Sequence, residues 1–105
     1  MYEAATFKAL GDPARLEMIK RLSKVPEMVI SDLVKNIDLS RQGARKHLQV
    51  LVDVGLVTLK SNGRETHVTL DTASLANAKS FIAELEAQWA NRLHSLKEIV
   101  EKDIN

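Results

Sequence analysis

The sequence predicts a mainly α-helical (α+β) winged helix-turn-helix with a long C-terminal dimerisation helix, and three observations lead to this fold class. Two short helical segments joined by a few residues span 31–54, and the second is basic. Two alternating segments around a polar turn follow at 56–70, as in a β-hairpin. A segment with apolar residues at every third or fourth position occupies 72–102. At this length we expect residues 1–105 to form a single domain.

Two helices are predicted ahead of the helix-turn-helix, over 1–10 and 13–24. The second has a strong start signal, because the Asp12 carboxylate can cap it and Pro13 stands at the first helical position. Pro26 is expected to mark its end. Its side chains predicted to face the core are Leu16, Ile19 and Leu22.

Two serines define the predicted helix-turn-helix. Ser31 can cap a short helix over 31–37, and Ser40 can cap the basic helix that runs on to Gly55. At about 100° per residue, the basic helix separates an apolar arc from a polar arc with two arginines and two glutamines. Such a face suits the major groove of DNA, where arginine pairs with guanine and glutamine with adenine. A merely solvated charged face is the alternative interpretation.

The polar arc and the hairpin turn supply the candidate contacts to double-stranded DNA. Gln42 and Arg45 are the candidates for base edges, since they lie on the exposed face of the first two turns. Arg64, beside the predicted turn over 61–63, suits a phosphate or a narrow minor groove, although it can also be an ordinary exposed arginine. The full set of predicted DNA-binding residues is Ser40, Arg41, Gln42, Arg45, Lys46 and Arg64.

The charge distribution supports a localised polyanion-binding surface although the whole chain carries only +1. Residues 39–64 contain five cations and one acid, a net charge of +4, whereas residues 71–105 contain four cations and six acids, a net charge of −2. The basic region therefore coincides with the predicted DNA-binding unit.

The C-terminal helix is too long for a small core to cover. Packing against the first helix would cover one end only, so the remaining apolar side chains predict a homodimer. The predicted interface residues are Phe7, Phe81, Leu85, Trp89, Leu93 and Leu96.

Composition argues against other classes of protein. The absence of cysteine excludes disulfides, thiolate metal sites and thiol redox switches. There is no apolar run of membrane-spanning length and no signal-like N-terminus, so a cytoplasmic protein without a membrane partner is expected. No nucleophile, phosphate-binding or metalloprotease motif is present, so the sequence predicts neither an enzyme nor a cofactor.

Three phrases of the sequence resemble the arsenic-repressor (ArsR/SmtB) family of winged-helix transcription factors: FKALGDPARLEMIKRL, LSRQGARKHLQVLVDVGLV and NGRETHVTLD, over residues 7–71. The final stretch FIAELEAQWANRL resembles the last helix of a subgroup of these regulators. The resemblance implies a homodimer formed by the first and last helices, a recognition helix at 40–54 and a wing that touches the flanking DNA. It also implies a repressor that releases DNA when an effector binds, and the sequence does not identify that effector.

The sequence departs from the family at its metal sites. The segment ISDLVKNI has no cysteine, and the tail offers only His94 and Glu98 on one helix face, where a solvated pair is commoner than a zinc site shared with a symmetry mate. His47 and His67 are interpreted as packing or hydrogen-bonding residues. Arg45 stands where relatives often carry a small hydroxyl residue. A winged-helix module that binds protein rather than DNA is the alternative function.

Overall fold

The computed structural model describes residues 2–104, with the side chains of residues 3–102. In this part of the chain the elements are, in order, α1 (Tyr2–Leu10), α2 (Pro13–Leu22), β1 (Met28–Val29), α3 (Ile30–Leu33), α4 (Arg41–Asp53), β2 (Val57–Asn62), β3 (Glu65–Leu70) and α5 (Ala73–Ile104). The prediction of a helix-turn-helix followed by a wing and a long C-terminal helix is confirmed.

The start of α2 follows the predicted cap. The Asp12 carboxylate accepts hydrogen bonds from the backbone N–H groups of Ala14 at 2.9 Å and Arg15 at 3.2 Å. The prediction that Leu16 faces the core was wrong, because Leu16 is 39% exposed whereas Met18 is fully buried. At about 100° per residue, the direction of Leu22 lies between those of Met18 and Ile19 and points away from Leu16, so the buried side of α2 is centred on Leu22.

The first helix of the helix-turn-helix is shorter than predicted. It covers only Ile30–Leu33, and Val29 occupies its N-cap position without a side-chain cap, so Ser31 is not the cap. The chain then turns over 34–40, where Asn36 adopts a left-handed φ of 64°. Arg21 of α2 fixes this turn, because its Nη1 donates to the carbonyls of Leu33 at 2.9 Å and Lys35 at 2.6 Å.

The wing is part of a three-stranded antiparallel sheet in the order β1-β3-β2. Asn62 pairs with Glu65, so the two-residue turn is Gly63-Arg64; it begins two residues later and ends one residue later than the predicted turn over 61–63. Gly63 has a φ of 66°, the conformation that a tight hairpin requires at its first central position and that glycine adopts without strain. Arg64 therefore stands at the tip of the wing itself.

The hydrophobic core is formed by α2, α3, α4 and the sheet around the fully buried Leu33, Leu51 and Val68. Ser74 fixes the start of α5, since its hydroxyl donates to the Val54 carbonyl at 2.9 Å. Beyond the buried Ala78, every described side chain of α5 is exposed, from Lys79 to Lys102. With 32 residues, α5 is about 48 Å long and extends far from the core. Within residues 2–104, no helix is long and apolar enough to span a membrane.

Candidate nucleic-acid interface

The first turn of α4 is held by the cap that the sequence predicts. Ser40 Oγ accepts a hydrogen bond from the backbone N–H of Gly43 at 3.0 Å. A Cβ added at Gly43 would lie 3.2 Å from that oxygen, so glycine leaves room for the capping hydroxyl. The apolar side of α4 is inserted into the core through Ala44, Leu48 and Leu51, none more than 5% exposed. This packing fixes the rotation of α4 about its own axis.

The opposite side of α4 presents four polar side chains to solvent: Arg41, Gln42, Arg45 and Lys46. Within the described part of the chain, none of the four makes a side-chain hydrogen bond or ion pair. By contrast, Gln49, one turn further on, donates to the Asp53 carboxylate at 2.8 Å. The first two turns of α4 thus keep their donors available for a ligand, whereas Gln49 is already engaged.

A groove of about 550 Å³ separates the start of α4 from the wing, and we call it the cationic groove. It is lined by Arg41 and Arg45 of α4 and by Arg64 of the wing tip. Its floor is apolar, including Ile30 and Leu39. The sequence predicts each of these arginines as a contact, and the fold brings all three to one groove. One carboxylate, that of Glu65, also lines the groove, but none of the three arginines forms an ion pair within the described residues, so the groove favours binding of a polyanion.

His47 lies on the flank of α4 that faces α2, and it is hydrogen-bonded as the sequence predicts. Its Nδ1 lies 2.9 Å from Nη1 of Arg15 and 3.9 Å from the Asp12 carboxylate. The hydrogen bond from the backbone N–H of Arg15 lowers the pKa of Asp12 below its ordinary value. Sequence patterns did not point to Arg15, because an arginine on an amphipathic helix is ordinarily a solvated cation.

Besides the cationic groove, the structure presents a second exposed surface, an apolar stripe along α5. It is formed by Phe81, Ile82, Leu85, Trp89, Leu93, Leu96, Ile99 and Val100. The stripe begins against α1, where the rings of Phe7 and Phe81 lie 6.0 Å apart. Beyond that contact its side chains are about half exposed, up to 59% for Trp89. Arg92 falls within the same arc, and the sequence-based prediction did not include it.

The candidate zinc residues do not form a metal site in this chain. His94 Nε2 lies 3.1 Å from the Glu98 carboxylate on the side of α5 opposite the apolar stripe. Among the described residues no group of three histidine, cysteine, aspartate or glutamate side chains is placed to hold a metal ion. His67, on β3, lies 3.3 Å from the Glu27 carboxylate, in agreement with a hydrogen-bonding role.

Comparison with known proteins gives consistent matches. A sequence model described as a helix-turn-helix domain matches residues 10–60. The uncharacterised HTH-type transcriptional regulator YuzN of Bacillus subtilis is 39% identical over 79 residues, covering 70% of this chain and 86% of YuzN. The arsenical resistance operon repressor of Escherichia coli is 32% identical over 78 residues, covering 74% of this chain and 67% of the repressor.

A solved structure of similar fold is the ArsR-like transcriptional regulator from Rhodococcus sp. RHA1. It superposes with a TM-score of 0.80 at 32% identity, over 93% of this chain and 92% of that one. A crystal structure of an ArsR family transcriptional regulator superposes with a TM-score of 0.81 at 26% identity, over 86% of this chain and 98% of that one.

Proposed function

Because this chain belongs to the ArsR family of winged helix-turn-helix transcriptional regulators, which bind DNA and are not enzymes, we propose that it is a homodimeric repressor that binds an inverted-repeat operator in the cytoplasm. The observation that carries the proposal is the cationic groove. Its three arginines come from two separate elements, are exposed, and have no acidic partner within the described chain. Duplex DNA supplies the line of negative charge that such a groove fits.

The two elements have different roles in this proposal. Gln42 and Arg45 contact base edges from the first two turns of α4, because their donors point outward and are not engaged by the protein. Arg41 and Lys46 flank them. Ser40 contributes the start of α4 to a phosphate, and Arg64 enters the minor groove or contacts a phosphate from the wing tip.

The homodimer follows from the apolar stripe, whose occupant we take to be a second copy of the chain. The stripe runs from Phe81 to Val100, with its midpoint between Ala90 and Asn91. Most of it is symmetric about that point, so two antiparallel copies would bring together Ile82 with Ile99, Leu85 with Leu96, and Trp89 with Arg92. The arrangement covers both stripes along their full length. It also places Arg92 against an indole ring, a favourable cation–π partner.

An antiparallel pair places the two DNA-binding units at opposite ends of the α5 pairing. The two units are then related by a twofold axis, so the operator is expected to be an inverted repeat with half-sites about 34–36 Å apart, one turn of DNA, or a multiple of that distance. His94 and Glu98 point away from this interface, and therefore no shared zinc site is proposed.

Binding of duplex DNA at increasing salt tests the proposal. Neutralising phosphates releases counterions, so the logarithm of the affinity should fall linearly with the logarithm of the salt concentration, by about 0.9 for each phosphate contacted. The probe is the duplex that the protein selects from a pool of randomised sequence, with a scrambled duplex as control. No salt-sensitive binding to either duplex would instead favour a winged-helix module that binds protein.

Cysteine substitutions test the dimer, because the chain has no cysteine of its own. The double variant Leu85→Cys/Leu96→Cys should form a disulfide-linked dimer on oxidation, since the two positions face each other across the antiparallel pair. The single variant Leu85→Cys should not, because its two copies would lie about 16 Å apart along the helix. Cross-linking of the single variant would show a parallel pair and contradict the arrangement.

A further inference from the structure

Arg15 connects three helices that sequence patterns treat as independent. Its Nε donates to the Ala9 carbonyl at 2.7 Å and its Nη2 to the Lys8 carbonyl at 3.4 Å, both at the C-terminal end of α1. Its Nη1 lies 2.9 Å from His47 Nδ1 in the middle of α4. Carbonyls at the end of a helix have no partner inside it and attract a cation. The guanidinium therefore holds the end of α1 with one edge and a residue of α4 with the other.

The protonation state of His47 follows from this contact. Arginine carries donors only and keeps its proton in proteins, so His47 Nδ1 must act as the acceptor and the ring proton resides on Nε2. A protonated His47 has no lone pair on Nδ1, and the hydrogen bond from Arg15 is then lost. Two charged groups of α2 reach this nitrogen, Arg15 at 2.9 Å and Asp12 at 3.9 Å. Protonation would exchange the first partner for the second.

We propose that Arg15 is a positioning residue for DNA recognition, which fixes α4 relative to α1 through neutral His47. The proposal rests on the function proposed above. Helix α1 contacts the base of the apolar stripe through Phe7 and Phe81, so the same guanidinium joins the dimer face to the DNA-binding face. His47 follows Arg45 and Lys46 directly in α4, and a small rotation of α4 there displaces the base-contacting side chains.

Two variants of His47 separate positioning from general stability. His47→Asn retains an acceptor oxygen close to the place of Nδ1 and does not titrate, whereas His47→Leu has similar bulk without an acceptor. The measurement is the ratio of affinities for the selected duplex and a scrambled duplex at fixed salt, since a ratio cancels changes in overall charge. We expect His47→Leu to lose about tenfold in this ratio and His47→Asn to stay near the wild type. His67→Asn is the matched control and should leave the ratio unchanged.

The pair of His47 variants also provides a readout that a purely structural contact would not produce. That readout is rescue by the conservative variant, because His47→Asn should recover the wild-type ratio that His47→Leu loses. Thermal unfolding of both variants shows whether the loss in His47→Leu follows the stability of the protein. An equal loss of the ratio in His47→Asn and His47→Leu would overturn the proposal, as would an unchanged ratio in His47→Leu.

An experiment without DNA keeps this inference separate from the proposed function. The ¹⁵N shifts of the His47 ring should show an Nδ1 acceptor in the wild type at neutral pH, and this signature should change in Arg15→Met, which removes the donors but keeps most of the stem. If the wild type binds neither duplex while the signature is present, the proposed function fails and the Arg15–His47 contact stands. If the ring signature is the same in the wild type and Arg15→Met, the contact itself is refuted.

Discussion

Helices α4 and α5 are both amphipathic, but the fold uses their apolar sides in opposite ways. In α4 the apolar side chains Ala44, Leu48 and Leu51 are at most 5% exposed, and the polar side faces solvent. In α5 the apolar stripe is 37–59% exposed, and within residues 3–102 nothing beyond α1 covers it. One helix completes the core of its own chain, whereas the other leaves an exposed apolar stripe, a kind of surface that often marks an interaction site.

The difference shows that the pattern of apolar residues identifies a buried face but does not identify what buries it. Helix α4 is short, with 13 residues, and follows a cap that places it across α2 and the sheet. Helix α5 has 32 residues and leaves the core after Ala78. Substitutions in α4 should therefore change the stability of the monomer or its contacts to DNA, and substitutions in the stripe should change assembly.

The largest expected effect is on monomer stability. Leu51→Ala should lower the free energy of unfolding by about 2–5 kcal/mol, because the fully buried side chain leaves a cavity between α4 and the sheet. The matched control, Leu93→Ala in the stripe, should change it by less than about 0.5 kcal/mol in dilute monomer. Chemical denaturation measures both. Equal losses of unfolding free energy in the two variants would mean that α5 is part of the monomer's core, as α4 is.

Removing the largest stripe side chain should weaken assembly. Trp89→Ala should raise the dissociation constant of the dimer by an amount equivalent to at least about 2 kcal/mol, since a buried tryptophan is a typical interface hot spot. His94→Ala, on the opposite side of α5, is the control and should leave the constant unchanged. Sedimentation equilibrium gives both values. A wild type that stays monomeric at high concentration would refute the second copy as occupant of the stripe.

Two arginines of the cationic groove should contribute to DNA binding in different ways, one to sequence specificity and the other to overall affinity. Arg45→Ala should cost about 1–3 kcal/mol on the selected operator and relax its specificity, whereas Arg64→Ala should weaken all duplexes alike and reduce the salt slope by about 1. Lys97→Ala, an exposed cation of α5, should have no effect. Fluorescence anisotropy on matched and altered operators measures these changes. Equal operator binding by the wild type and Arg45→Ala would exclude Arg45 as a base contact.

A smaller effect is expected at the cap of α4. Ser40→Ala removes the acceptor of the Gly43 N–H and should destabilise the protein by about 1 kcal/mol. Ser40→Asp retains a capping oxygen and should restore most of that stability, but it should weaken DNA binding because it adds a negative charge where a phosphate is expected. Thermal unfolding and duplex titration together distinguish the two effects. Full DNA affinity in Ser40→Asp would remove Ser40 from the interface.

The smallest effect concerns acid stability at Asp12. The backbone N–H of Arg15 lowers the pKa of this carboxyl in the folded state, so its contribution is complete above the ordinary pKa of about 3.9 and is lost as the pH falls through the lowered value. Asp12→Asn keeps a capping oxygen without this titration. The melting temperature of the wild type should therefore fall more steeply below about pH 4 than that of Asp12→Asn. If the melting temperatures of the two proteins fell equally with pH, the lowered pKa of Asp12 would be contradicted.

Features governed by local physical chemistry could be predicted from the sequence. The caps at Asp12 and Ser40 follow from a side-chain oxygen placed before free N–H groups, and both form the expected hydrogen bonds. The buried side of α4 and the stripe of α5 follow from helical periodicity.

The sequence-based predictions were wrong where the position of a residue depends on the packing of several elements together. The wing turn lies at 63–64 rather than at the predicted 61–63 because the pairing of β2 with β3 sets it, and Leu16 is exposed because the buried side of α2 is centred on Leu22.

The sequence by itself determined the winged helix-turn-helix, the basic helix and the apolar stripe, since each depends on neighbours a few positions apart. Only the tertiary structure decided that Arg64 shares a groove with Arg41 and Arg45, and that Arg15 joins α1 to His47. Arg64 is 19 and 23 residues from the two arginines of α4, and Arg15 is 32 residues from His47, and no local preference encodes contacts over such separations. Packing of the helices and the sheet around a common core fixes these contacts. The stripe of α5 stays exposed because the core is complete without the stripe.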